Sequence, residues 1–219
     1  MKYIFLWGIL FFNSLTSSSQ IMVLEDPVSA SVFGAEKYAG ISGAPFLYDK
    51  WITGYVTVSR GTYKNLELKL DSYSNTLYFN KDDAPNEFKE NVTAFTLIPN
   101  PSDSSTYEYY RKGISGPGLK IEQYARILFE GNLSFFKSEI KLVTDVNQIN
   151  VGIIKTFNTS VRYYIMKDDL VQIIKLNKKE ILEILKDKED KIQSYISDKK
   201  LSLKKESEFI ELVKYYNSL

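Results

Sequence analysis

Two residue types that carry much of enzyme chemistry are missing from this chain: among its 219 residues there is no histidine and no cysteine. Ser-His-Asp and Cys-His nucleophiles, a histidine general base, zinc sites of the usual Cys/His kind and disulfides are therefore excluded. Any catalysis would fall to carboxylates, Lys, Tyr or backbone amides. Two adjacent acidic pairs stand out, Asp82-Asp83 and Asp168-Asp169. Glycoside hydrolysis needs two carboxyls about 5–10 Å apart across a cleft, one of them with a raised pKa. Calcium loops set their oxygen ligands at alternate positions. Neighbours along a loop fit neither pattern, so both pairs read as turn acids. The run Gly113-x-x-Gly116-Pro-Gly118-x-Lys120 lacks the Gly-Lys-Ser/Thr of a phosphate loop and has no helix after it, and reads as a flexible turn.

The remaining candidate is aromatic. The chain holds sixteen Tyr and thirteen Phe, and Tyr107-Glu-Tyr-Tyr-Arg111 concentrates them beside a Pro/Ser-rich loop. On a strand Tyr107 and Tyr109 share one face, where a ring can stack on a sugar or pack on a partner. Strand propensity accounts for most Tyr-rich strands, so the first expectation for these rings is packing. If the chain binds a ligand, the contact expected is Tyr107, Tyr109 and Arg111, suited to a neutral or weakly acidic glycan or peptide. No feature calls for a cofactor or a metal.

The elements that must position these residues are mostly strands. Residues 20–44 show no sustained period and read as an extended lead-in. From Pro45 a period of two sets in, clearest at Leu66, Leu68 and Leu70 alternating with charged residues. Lys81–Glu90 is charged, contains Pro85 and reads as a loop. Val92–Ile98 is a strand, and Gly131-Asn132 marks a hairpin turn. Further strands are expected at 151–157, 161–166 and 170–175. Eight or nine closely spaced strands without intervening helices predict a mainly β domain over 45–176, an antiparallel meander, barrel or sandwich. At Asn177 the period changes. Asn177 with Glu180 forms a capping-box signature, and apolar stripes at Ile181, Ile184, Leu185, Ile192 and Ile196, then Phe209, Leu212, Val213 and Tyr216, predict a two- or three-helix extension over 177–219. Stripes this narrow must dock on each other or on the sheet.

The first residues carry an address. Met1-Lys2, an apolar run from Tyr3 to Phe12 and a polar stretch rich in small residues predict a secretory signal peptide over 1–19, cut before Gln20. The run is shorter than the roughly 20 residues that span a bilayer, so no transmembrane segment is expected in the mature chain. With 28 basic and 27 acidic residues overall, the charge balance offers no field for nucleic acid. The segment Phe46-Leu-Tyr-Asp-Lys-Trp51-x-x-Gly54-x-Val56, followed by Gly61-x-Tyr63-Lys-Asn-Leu66-x-Leu68-Lys-Leu70-Asp71, resembles the uncharacterised exported β-rich proteins of Bacteroidota, as does the ending Tyr215-Tyr-Asn-Ser-Leu219. The resemblance implies a bacterial envelope location and brings no activity or site residue. Together these readings lead to an exported, non-catalytic envelope or binding protein, located in the periplasm, at the outer membrane or outside the cell. Its partner would be a glycan, a peptide or an envelope protein. The alternative is a carboxylate-dependent hydrolase acting on polysaccharide or cell-wall material.

Overall fold

The computed structural model describes residues 22–149 and 152–219; the expected signal peptide lies outside them. Strands dominate: β1 (Val23–Leu24), β2 (Ser29–Val32), β3 (Ile41–Ser42), β4 (Ile52–Val58), β5 (Gly61–Asp71), β6 (Thr76–Lys81), β7 (Ala84–Phe88), β8 (Val92–Leu97), β9 (Glu108–Arg111), β10 (Ala125–Phe129), β11 (Leu133–Gln148), β12 (Gly152–Lys167) and β13 (Leu170–Ile174). Three helices follow, α1 (Lys178–Ile184), α2 (Glu189–Asp198) and α3 (Glu206–Ser218).

All thirteen strands join one sheet in the order β13-β12-β11-β10-β9-β8-β4-β5-β6-β7-β2. Its long strands form two antiparallel meanders, β4 to β7 and β8 to β13, joined where β8 pairs with β4. Only the short lead-in strands pair parallel, β1 with β5 and β3 with β12. The end strands do not pair with each other, so among the described residues the sheet stays open and the barrel alternative is set aside. Two of its hairpins are closed by the acidic pairs. Asp82 and Asp83 (φ +54° and +58°) link β6 to β7, and Asp168 and Asp169 (φ +50° and +61°) link β12 to β13. Two successive positive φ values define the type I′ turn, which Asp tolerates better than most residues and which matches the strand twist.

Lys81–Glu90, read as a loop from its charge and Pro85, contains β7. Pro85 lies opposite Asn80 and offers its carbonyl to the Phe33 amide at 2.8 Å, so the missing N–H costs β7 little. The strands expected at 151–157 and 161–166 are one strand of sixteen residues, paired without a break from Lys167 to Gly152 against β11. Among the described residues of 45–176 there are thus ten strands, β4–β13, where eight or nine were expected, and the lead-in adds three short ones.

One face of the sheet carries two cores. Around β4 to β9, Val56, Tyr63, Leu68, Phe79, Phe95 and Leu97 pack together. Around β11 to β13, Leu133, Phe135, Ile165 and Ile174 pack under the helix stripes of Ile181, Ile192, Phe209, Leu212 and Val213. The helices therefore dock on the sheet, as their narrow apolar stripes require. Asn177 Oδ1 accepts the Glu180 amide at 2.9 Å, while the Glu180 carboxylate reaches back to the Lys175 amide at 2.7 Å, a capping box displaced by two residues. On the opposite face Phe136, Tyr164 and Ala125 are covered by Ile114 and Leu119. The Gly113–Lys120 segment is thus an anchored cover, with Gly118 at φ +68° taking the Arg162 guanidinium on its carbonyl.

Candidate functional site

Register decides which side chains meet. The directly opposed residues Val56, Phe95, Tyr110, Arg126, Lys137, Tyr163 and Ile174 form a row across the helix-bearing face. The row is apolar at both ends, inside the two cores, and cationic in the middle. There Arg126 Nη1 lies 2.9 Å from Glu108 Oε1, and Lys137 Nζ lies 3.1 Å from Glu139 and 2.9 Å from Glu206 at the start of α3. Tyr48 and Tyr110 donate their hydroxyls to the Glu108 carboxylate at 2.7 and 3.0 Å. A charged seam therefore separates the two cores and ties the last helix to the sheet.

The seam shows its low-polarity setting in the tyrosines. Burial, with the Glu108 carboxylate adding to it, pushes the Tyr48 and Tyr110 hydroxyls well above their ordinary value. Burial and the nearby Glu206 carboxylate push Tyr163 up to about 12. Burial alone would pull the Arg126 guanidinium down, but the surrounding Tyr110, Glu108, Glu139 and Glu206 hold it above its usual value. Glu108, Glu139 and Glu206 each face a cation, so the carboxylates brought together here are engaged in structure.

A surface cavity of about 680 Å³ lies between the β12–β13 turn and α1 and is lined by Asp168, Glu180, Glu183, Lys167 and Lys186 among others. Its carboxylates make it a place to look for a carboxylate hydrolase. Glu180, however, is held below the usual carboxylate range by the Lys175 amide and by Asn177, the opposite of what a general acid needs. Next to it Lys167 is spent on Asp187 at 2.6 Å, whose other oxygen takes the Tyr216 hydroxyl. A second cavity of about 300 Å³ is lined by Glu87, Glu90, Asn91, Lys112 and Tyr124 among others. In it Lys112 lies over the Tyr124 ring at 4.6 Å, and its burial lowers the ammonium pKa. Among the described residues no group of three or more Asp and Glu is gathered to hold a metal.

The aromatic candidate lies on the reverse face. β9 alternates buried and accessible positions, with Glu108 and Tyr110 inward and Tyr109 and Arg111 on the other side. Tyr109 is 40% exposed, in a second row of opposed residues, Tyr55, Thr96, Tyr109 and Ile127, before that row dives under the loop at Phe136. Tyr107 is half-buried just before β9, its hydroxyl 3.4 Å from the Pro101 carbonyl. Neither ring is in the core; Tyr110, between them and Arg111, is the tyrosine that is. The Arg111 guanidinium is not a free cation, because Glu130 accepts from its Nη2 at 2.8 Å. Tyr55, Thr96 and Ile127 were not legible as neighbours of Tyr109, since only the register of three separate hairpins brings them together. Against family models, curated proteins and solved structures the chain finds no match.

Proposed function

We propose that this chain is an exported, non-catalytic binding protein of the bacterial envelope. Its ligand contact is placed on the outer sheet face around Tyr109, with Tyr107 and Arg111 at its rim and Tyr55, Thr96 and Ile127 extending it. The observation that carries this reading is the exposed Tyr109 ring, seated on a rigid strand in a row without a charged side chain. A flat ring flanked by hydroxyl and aliphatic groups suits the face of a sugar or an uncharged peptide segment. Because Glu130 already pairs Arg111, the contact has little net charge, and binding depends little on salt. Export rests on the signal-peptide pattern of residues 1–19. In keeping with a mature chain outside the bilayer, no helix among the described residues is long and apolar enough to cross a membrane. The cell-wall hydrolase reading finds less support, since the carboxylates in the seam and Glu180 in the cavity beside α1 are engaged by cations and amides.

The test is capture of envelope glycans or an envelope fraction by the immobilised protein, comparing wild type with Tyr107→Ala/Tyr109→Ala and with Tyr55→Ala. Loss of capture in both variants, with salt between about 0.05 and 0.5 M making little difference, supports the site. Equal capture by all three proteins removes it.

A further inference from the structure

The β11–β12 hairpin leaves the body of the protein. Its two strands pair over sixteen residues each, but β10 accompanies β11 only as far as Lys137 and β13 accompanies β12 only as far as Tyr163. Beyond these points the hairpin is an arm. On the β12 side the arm is strapped by β3 at Lys155 and Thr156, and Tyr38 and Tyr73 cover Phe157. On the β11 side, among the described residues, the last partner of the edge is Ser72, whose carbonyl takes the Lys141 amide at 3.2 Å. Since that amide points away from β12, the N–H and C=O groups of Val143, Asp145 and Asn147 point outward too, with no strand beside them among the described residues.

Of the devices that normally keep strands apart, this edge has only charges, Lys141 and Asp145, and both lie on one face. There is no proline or bulge from Leu133 to Gln148 in its pairing with β12, and one whole face of the arm (Ile140, Leu142, Thr144, Val146, Ile154, Thr156, Asn158) has no charge. Leu142 and Val146 on that face are 42% and 41% exposed, and Ile153 near the tip is 75% exposed. An open edge with one uncharged face is a template for another strand.

We propose that the arm pairs with the arm of a second copy of this chain, edge to edge along β11, antiparallel about a two-fold axis at Thr144. The charges suit a second copy of this chain, and the open backbone groups select the register. A two-fold at Val143 would set Lys141 against Asp145 of the second copy but, with the Lys141 amide taken by Ser72, would give only about four backbone bonds. A two-fold at Asp145 would set Asp145 against Asp145 of the second copy, a like-charge pair that destabilises a ladder. A two-fold at Thr144 sets Leu142 against Val146 of the second copy and Thr144 against its own equivalent. It also places Lys141 diagonal to Asp145 of the second copy, within reach of a long side chain. Val143 and Asp145 then exchange both backbone hydrogen bonds across the axis, and the Lys141 carbonyl accepts from Asn147, about six bonds in all. The pairing builds a two-sided sheet from two protomers and leaves both Tyr109 faces open.

Because the chain has no cysteine, single cysteines report the axis without background. In the proposed register Thr144→Cys faces itself and gives a disulfide-linked dimer on mild oxidation. Leu142→Cys faces Val146 and gives several-fold less. Light scattering after size exclusion is expected to show wild type passing from monomer to dimer as concentration rises to about 0.1 mM. Thr144→Lys should stay monomeric with an unchanged melting temperature, since its lysines would oppose each other across the axis. Wild type that stays monomeric at that concentration overturns the proposal, as does a Thr144→Cys yield no higher than that of Leu142→Cys. Monomeric protein captured by phosphatidylcholine vesicles through the arm also overturns it, assigning the arm to a lipid surface.

Discussion

From Leu133–Lys167 to Ile140–Ser160, eight opposed pairs of the β11–β12 hairpin run through the protein's interior; from Lys141–Thr159 to Gln148–Gly152, eight more continue the same ladder outside it. The backbone hydrogen bonding is the same in both halves, and what covers the two faces is not. In the base, Leu133, Phe135, Phe136, Tyr164 and Ile165 are 0–1% exposed, with helices on one face and the Gly113–Lys120 cover on the other. In the arm only Phe157 is buried, at 7% exposure, under the lead-in tyrosines. Net hydrogen-bond stabilisation is small because water competes for the same groups, so burial decides which half is held. The difference teaches that strand length and strand stability are separate properties, and that the arm persists as structure without contributing a core.

The comparison breaks most sharply at Phe135, which the β11 base inserts beneath Phe209 of α3. Phe135→Ala should lower stability by about 3–5 kcal/mol, whereas Val146→Ala at the equivalent depth of the arm should change it by less than about 0.5 kcal/mol. Chemical denaturation of both variants measures the contrast, and similar losses would undo it. A smaller effect is expected at the seam. Lys137→Met leaves Glu139 and Glu206 facing each other without their cation, with side chains 16% and 28% exposed. Breaking a buried pair costs about 3–5 kcal/mol, and the residual exposure of Glu206 trims that toward the lower end. Adding Glu206→Leu to Lys137→Met should recover part of the loss, as α3 regains an apolar contact with the sheet; no recovery would show that the charge pair is not what joins them.

Alkaline titration sharpens the same contrast with a smaller effect. Tyr163 in the base has its hydroxyl pushed up to about 12 by burial and Glu206, against about 10 in an unfolded chain. A raised folded value means that the stabilising neutral form is fully present below about pH 10, and its contribution is lost as pH rises from there through about 12. Thermal unfolding across that window should fall more steeply for wild type than for Tyr163→Phe, and parallel curves would remove Tyr163 from the account. The smallest effect is expected from Leu142→Thr on the arm, within about 0.5 kcal/mol of wild type in denaturation of dilute protein.

Much of this architecture could be read from the chain before any coordinates. Leu66, Leu68 and Leu70 announce β5 by period two, Asp82-Asp83 and Asp168-Asp169 announce turns, and Asn177 with the stripes from Ile181 to Tyr216 announces docked helices. Local signals failed where tertiary partners overrule them. Pro85 is admitted to β7 because its backbone edge points away from β6, toward Phe33, so the β6–β7 ladder loses no hydrogen bond. Asn158-Thr-Ser160 interrupts the apolar alternation, yet β11 supplies an unbroken ladder that carries β12 across it. Of the two- or three-helix alternatives the three-helix form is present, because Leu185 ends α1 as it is drawn into the core. The candidate contact was legible in part, since alternation alone separates Tyr109 and Arg111 from Tyr110. The Glu130 partner of Arg111 and the Tyr55–Thr96–Ile127 surround were not, nor was the seam of Glu108, Arg126, Lys137, Glu139 and Glu206. These residues are far apart in sequence, and only strand register and helix docking bring them together.

The central claim is that one continuous ladder has a held half and a free half, and amide hydrogen exchange along β11 and β12 tests it most directly. In dilute protein the ladder amides of the base, around Phe135, Phe136 and Ile165, should exchange only through global unfolding. Those of Leu142, Thr144 and Val146 in the arm should exchange at least about a hundredfold faster through local opening. Raising the concentration should then slow the outward-facing amides of Val143 and Asp145 specifically. Protection of dilute protein that runs undiminished from Leu133 to Gln148 would contradict the account.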